Sequence, residues 1–272
     1  SKVATIDVTP NPLSSEIHRG KILFYSSLQP MVGRRWISCA SCHPDGQPDG
    51  RTWKNPEGLR NTQSFAGLGH THPVHWSADR DEVQDFEHTV RGLLMQGRGL
   101  IRGRVNPPLG KPNKGLSADL DALAAYADSH DFTLSPHAKG GLNDAAKRGR
   151  TLFFTEKTKC ATCHSGPLLT DSKPLPADQL IRHDVGTGAD DPGEKMGPAY
   201  DTPTLLGIYR TGPWLHHGKA TTLAEVFTKN NPNDRHGATS HLKENEISDL
   251  VEFLKALPYE QPVLNASRNS KQ

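Results

Sequence analysis

The chain has 272 residues, 34% of them hydrophobic, with 25 Gly and 21 Pro; that length makes one large domain or two of ordinary size. So low an apolar content suits a loop-rich protein, unless something other than side chains fills part of the core. The formal net charge of +2 argues against nucleic-acid binding, and no run of about 18 apolar residues is present to span a membrane.

The first residues, SKVATIDVTP, show neither a signal peptide nor an initiator Met, the form of a mature chain or of a fragment cut from a longer one. Within them VATIDV alternates like a strand, an edge strand or the exit from a preceding module. SSEIHRGKILFY predicts a helix capped by Ser14 or Ser15. WISCASCHPDG (36–46) follows, then RNTQSFAGLGHTHPVHW (60–76). NPPLGKPNKG (106–115) is a Pro/Gly turn region. LSADLDALAAYADSH (116–130) has helical apolar spacing, with Ser117 as N-cap and Asp119 in the first turn. TLSPHAKGG (133–141) reads as an interdomain linker.

The pattern then repeats. LNDAAKRGRTLFF, capped by Asn143, answers the first helix, KCATCHSGP (159–167) the first cysteine motif, and YDTPTLLGIYRTGPWLH (200–216) the segment 60–76. LKENEISDLVEFLKAL (242–257) closes the second half as a helix. The tail NASRNSKQ is polar and reads as frayed. The predicted organisation is an entry segment (1–15), two helical domains (16–133 and 134–258) and a C-terminal tail (259–272).

The two motifs use all four cysteines. A disulfide within each pair leaves the following His unexplained. A shared zinc site conflicts with the 117 residues between Cys42 and Cys160, since such sites space their pairs by about 15–20. C-x-x-C-H is the signature of covalent haem c. Cys39 and Cys42, then Cys160 and Cys163, would each form one thioether, two per porphyrin along one edge, with His43 and His164 binding iron from the proximal side. Two porphyrins then supply much of the apolar core. The predicted fold is all-α: two tandem cytochrome c-like domains with long loops, each carrying one haem c.

DTPTLLGIYRTGPWLHHGKATTLAEVF (201–227), together with the closing EISDLVEFLKAL, resembles the bacterial dihaem cytochrome c peroxidase and MauG superfamily, and the resemblance spans residues 16–258. It implies a periplasmic or extracellular bacterial protein. It implies that haem 1 meets hydrogen peroxide and that haem 2 takes electrons from a small donor protein of cytochrome or cupredoxin type. Trp76 falls where the family has a tryptophan coupling the haems. The family's distal ligand to haem 2 is commonly Met or Tyr; here TKNNPNDRHGATSHL offers His236 first, His241 second, and Met196 lies upstream. His216 occupies a position that usually carries His, and is expected to hydrogen-bond near haem 2. The family often holds one Ca²⁺ between its domains, and Asn61 and the turn Asp201–Pro203 match its ligand positions.

Haem 1 departs from the family. RGLLMQGRGL holds no carboxylate where peroxidases carry a catalytic Glu, so Glu87, Gln96 or a histidine of the 70–75 loop is the substitute for moving the peroxide proton. Met95 is a sixth ligand or a core residue. HTHPVH reads as a metal site, a distal-pocket element or a solvated loop, and GTGADDPGE (186–194) as a calcium loop or a solvated one. Three functions compete: a dihaem peroxidase-like enzyme, an electron-transfer module fused or docked to a larger protein, and a zinc-binding structural protein.

Overall fold

The computed structural model describes residues 9–264; the alternating segment 3–8 and the tail 265–272 lie outside the described residues. The four predicted helices form: α1 (Ser15–Phe24), α4 (Ala118–Asp128), α5 (Asp144–Phe153) and α8 (Glu244–Lys255), with α2 (Cys39–Cys42), α3 (Glu87–Arg91), α6 (Cys160–Cys163) and α7 (Leu223–Phe227) as short turns of helix between them. Their starts lie where the capping residues put them. Ser14 Oγ accepts from Ile17 N at 3.2 Å, Ser117 Oγ from Leu120 N at 3.3 Å, and Asn143 Oδ1 from Ala146 N at 2.8 Å, each satisfying an N–H the helix leaves free.

α1 packs on α4, and α5 on α8. Both crossings are close because a glycine sits at each. A Cβ on Gly20 would lie 1.9 Å from the Ala122 carbonyl oxygen, and one on Gly149 1.9 Å from that of Asp249. The neighbouring arginines clamp the same helices, Arg19 bidentate to Asp119 and Arg148 bidentate to Asp249.

One core gathers Leu23, Phe24, Met31, Val90, Leu120 and Leu123; a second gathers Phe153, Leu205, Leu250, Phe253 and Leu254, and draws in Ala66 and Phe132 from the first half of the chain. The segment 133–141 is tied down rather than loose, with Ser135 N donating to Pro258 O at 2.9 Å and Ser135 Oγ to Lys255 O.

The architecture is helical but not all-α. Strands β1 (Thr52–Asn55) and β2 (Gly58–Asn61) form an antiparallel hairpin in the register Thr52↔Asn61. The turn Asn55-Pro56-Glu57-Gly58 makes it, with Pro and Gly where a four-residue turn favours them. Arg60 then fixes the hairpin to the rest of the molecule. Its guanidinium is bidentate to Glu194 at 2.7 and 3.0 Å, Leu59 N donates to Asp191 at 2.6 Å, and Lys195 N to Glu57 O at 3.0 Å. The acidic run 186–194 is therefore only part solvated: Ala189, Asp190, Pro192 and Gly193 are exposed, while its other two carboxylates are turned inward. Asp191 and Glu194 are buried against the hairpin.

The internal repeat extends to backbone geometry. With an offset of 140 residues, 201 against 61, Gly67 and Gly207 are both left-handed (φ 74° and 89°), as are His75 and Leu215 (76° and 69°) and Ala78 and Gly218 (52° and 66°). The isolated bridges Val74–Arg80 and Trp214–Ala220 correspond as well.

Candidate functional site

A cavity of about 940 Å³ runs between the two halves, and both cysteine motifs line it. This is the upper end of the size range of small-molecule sites. In each motif a single helical turn brings cysteines three apart to one face, and the chain leaves the helix at the next residue. His43 N and His164 N still donate to Cys39 O and Cys160 O, at 3.0 and 3.1 Å. Each imidazole is then oriented through Nδ1, His43 to Gln63 O at 3.0 Å and His164 to Leu169 O at 3.1 Å. A carbonyl partner sets the tautomer with the proton on Nδ1 and leaves Nε2 as the ligating atom. Burial lowers the pKa of both rings, that of His43 to about 4, so each is neutral and has its lone pair available. Burial also raises the thiols, Cys39 to about 12 and Cys42 to about 11. The four cysteines do not converge. Among the described residues the one close group of metal-ligating side chains is Cys163, Asp171 and His183, so a four-cysteine zinc site is not formed.

His236 reaches the cavity opposite His164. Their ring centres are 6.3 Å apart with 36° between planes. Two imidazoles bonded to one metal from opposite sides, each at about 2.0–2.1 Å, place their centres about 6 Å apart. Burial, reinforced by His164, lowers His236 to about 4, and its Nδ1 is buried with no partner. Asn231 fixes the segment, accepting from His236 N at 2.9 Å and donating to Gly237 O at 2.8 Å. His241 is exposed and does not line the cavity, whereas Met196 does, half out in solvent.

His43 has no such partner. Among the described residues, the ring beside it is Phe65, at 4.5 Å. Met95 is buried, lines the cavity and belongs to the core that holds Cys39 and Cys42. His75 lines the same cavity, close enough that charge on it disfavours charge on His43. Its Nδ1–H donates to Asp79 at 2.9 Å, and Asp79 in turn accepts from Arg80 at 2.6 Å. Burial pushes Asp79 up, but the bond from His75 and the charge of Arg80 outweigh it and hold the carboxyl below its ordinary range.

Two expected catalytic residues are not at the cavity. Glu87 is fully buried and consumed by other groups. It accepts from Arg91 Nε at 2.7 Å and from the backbone N–H groups of Leu100 and Ile101 at 2.9 and 3.0 Å. Its helical position faces the 97–101 loop, which it anchors. Gln96 is exposed and donates to Leu93 O at 3.1 Å. Nor do the histidines of 70–75 form a metal cluster, because His72 is spent on Asp81 O and Asp128, at 3.0 and 3.2 Å.

Trp76 and His216 line the cavity between the motifs, their rings edge to face at 6.4 Å. Trp76 Nε1 donates to Asn61 O at 2.8 Å. His216 is buried, stacked on Tyr200 at 4.0 Å, with Nε2 3.0 Å from the Tyr200 hydroxyl and Nδ1 3.3 Å from Thr187 Oγ1. Both nitrogens are thus occupied, and burial lowers its pKa to about 4. Tyr200 also donates to Glu194 at 2.9 Å. Sequence reading passed over Tyr200, Thr187 and the Arg60–Glu194 pair, because their only signal is proximity in space.

Asn61 Oδ1 and Asp201 Oδ1 are buried without partners. Burial, reinforced by Asp171, raises the Asp201 carboxyl to about 8. Pro203, two residues after Asp201, lines the cavity. Orphaned oxygens of this kind suit a hard cation such as Ca²⁺.

The paired cysteines, the oriented neutral imidazoles and the His164–His236 separation fit covalently held porphyrin. Comparison with known proteins agrees. The sequence model of the cytochrome c family matches residues 146–258. The chain is 32% identical to hydrazine synthase subunit gamma of Kuenenia stuttgartiensis, over 92% of this chain and 80% of that one. It is 26% identical to the cytochrome-c peroxidase IdrP1 of Denitromonas iodatirespirans (94% and 85% covered) and 27% identical to the methylamine utilization protein MauG of Methylorubrum extorquens (92% and 80%). A solved structure of Kuenenia stuttgartiensis hydrazine synthase superposes with a TM-score of 0.69 at 28% identity, covering 92% of this chain and 90% of that one. The chain belongs to the dihaem cytochrome c peroxidase and MauG superfamily, whose cofactor is covalent haem c.

Proposed function

We propose that the protein is a periplasmic dihaem oxidoreductase that reduces hydrogen peroxide, with haem 1 on Cys39, Cys42 and His43 as the reactive centre and haem 2 on Cys160, Cys163 and His164 as the electron port. Bound haem supplies one-electron redox chemistry and an iron coordination site. The observation that carries this reading is an asymmetry: His164 faces His236 at 6.3 Å, whereas His43 faces no second imidazole at that distance among the described residues. His236 and His164 together would hold the iron of haem 2, and two imidazole ligands would suit that centre to electron transfer. Across from His43 the cavity is left for a small molecule.

The two centres belong to domains 16–133 and 134–258. Trp76, bonded to Asn61 and packed on His216, lies between them and couples them. Asn61, Asp201 and Pro203 hold a Ca²⁺ at the junction. Electrons arrive from a small cytochrome or cupredoxin. Two experiments test the reading: replacing either cysteine pair by alanine leaves one haem per chain by pyridine haemochrome where the unaltered protein has two, and the two-haem protein consumes peroxide when given a reduced donor. Haem counts unchanged by either replacement, or no peroxide consumed, sink it.

A second reading is an electron-transfer subunit of a larger assembly. The position of Met95 on the cavity beside the first cysteine pair favours it, as a sixth ligand to haem 1, as does the similarity to a protein named as a subunit of hydrazine synthase. It requires both irons to be closed.

A further inference from the structure

Haem 1 of the proposed enzyme lacks the family's carboxylate, and neither Glu87 nor Gln96 replaces it. What the cavity has instead is a histidine bonded to an aspartate. We propose that His75 is the proton-transferring base of the haem 1 pocket and that Asp79 positions it. The inference rests on the reading of haem 1 as the reactive centre.

Four observations carry it. His75 and Asp79 both line the cavity, with side chains partly accessible. Nδ1 is tied to Asp79 at 2.9 Å, so Nε2 is the basic nitrogen, and Phe86 fixes the ring plane, edge to face at 5.1 Å. Arg80 holds Asp79 from the other side at 2.6 Å. The fourth observation is the repeat. The same left-handed loop position in the second half is Leu215 (φ 69°, against 76° for His75), and the position of Asp79 is Lys219. The loop geometry therefore belongs to the fold, and the dyad belongs to the first half alone. The half that has His236 over its proximal imidazole has an aliphatic side chain here. The half without such a histidine has an acid–base pair.

The chemistry balances. The Nε2 lone pair takes the proton from one O–H bond of hydrogen peroxide, and Asp79 stabilises the imidazolium. As the O–O bond breaks, the departing hydroxide receives that proton and leaves as water. The remaining oxygen takes two electrons from the reduced donor protein and two protons from solvent, and leaves as the second water.

The test uses hydrogen cyanide, which must also lose a proton to bind ferric iron, and reads association rather than turnover. The full-length ferric dihaem protein is mixed with cyanide by stopped flow. His75→Asn tolerates the left-handed backbone, His75→Gln is the second variant, and Asp79→Asn tests positioning. Loss of a general base is expected to slow association by about 10²-fold or more in both His75 variants, with haem content and the resting ferric spectrum unchanged. Asp79→Asn is expected to slow it less and to displace its pH profile. Cyanide binding in the unaltered protein, with the same rate in both His75 variants, overturns the role of His75 and leaves the reactive haem 1 standing. No cyanide binding to the unaltered protein overturns both.

Discussion

Trp76 and His216 occupy the same position of the internal repeat and touch each other, indole against imidazole at 6.4 Å. Their backbones are linked reciprocally. Trp76 O accepts from Asp201 N at 2.8 Å, and His216 O accepts from Asn61 N at 2.6 Å, Asn61 and Asp201 being repeat partners as well. A local two-fold relation thus passes between the two cysteine motifs, with an aromatic pair on its axis. Trp76→Phe keeps an aromatic ring, though a smaller one, beside His216 and removes the bond from Nε1 to Asn61 O. The expected cost in stability is about 1 kcal/mol, with haem content unchanged. Electron exchange between the haems, followed by stopped-flow reduction, should slow severalfold. Exchange at the unaltered rate would remove Trp76 from the route.

Arg60 and Glu194 join the hairpin to the 186–198 segment and are both buried. Removing one member leaves a buried charge unpaired, so Glu194→Gln or Arg60→Met should cost about 3–5 kcal/mol, read as a lowered midpoint in urea.

The same site sets an acid limit. Burial alone would raise Glu194, but Arg60 and the N–H groups of Met196 and Gly197 outweigh it, taking the carboxyl from 4.5 to about 2. Its stabilisation is complete above about pH 4.5 and is lost as pH falls towards 2. His216 acts at higher pH. The fold favours its neutral form, lowering it from 6.5 to about 4, so its contribution is complete above about pH 6.5 and is lost as pH falls to 4. Unfolding midpoints measured from pH 7 to pH 3 should fall in two stages; the upper one is shared with His43 and His236, which burial also lowers to about 4, so His216→Gln should shrink it rather than abolish it.

Gly20 and Gly149 set the two helix crossings. Alanine at either would force a backbone displacement, since its Cβ would sit 1.9 Å from a carbonyl oxygen, at a cost of about 1–3 kcal/mol or more. Thermal unfolding of Gly20→Ala and Gly149→Ala should show it. Equal stability to the unaltered chain would mean the crossings adapt freely.

The four long helices, three of them with their side-chain caps at Ser14, Ser117 and Asn143, and the haem attachment motifs were legible in sequence because each depends on local spacing, whereas the glycine crossings depend on contacts about 100 residues away in the chain. The hairpin was not: its strands alternate weakly, and Arg60 finds Glu194 across 134 residues. Glu87 misled for a related reason. A carboxylate on a helix says nothing of which face is buried, and here that face anchors the Leu100 and Ile101 amides rather than lining the cavity. The place of His236 on the cavity opposite His164 was legible because a donor was expected after α7, while the bond from His75 to Asp79 emerged only with the loop folded.

His236 can be tested by itself. His236→Ala should convert haem 2 from six- to five-coordinate, and His236→Met should raise its potential, because a thioether ligand favours ferrous iron. Redox titration and optical spectra read both. Unchanged spectra in His236→Ala would place the ligand elsewhere, with Met196 the next donor on the cavity.

The most direct test of two unlike centres in one chain is the low-temperature electron paramagnetic resonance spectrum of the fully ferric protein. One high-spin and one low-spin signal in equal amounts is the expected result, with the low-spin signal lost in His236→Ala. Two low-spin signals of equal weight, with no high-spin iron at any pH where the protein is folded, would contradict an open haem 1.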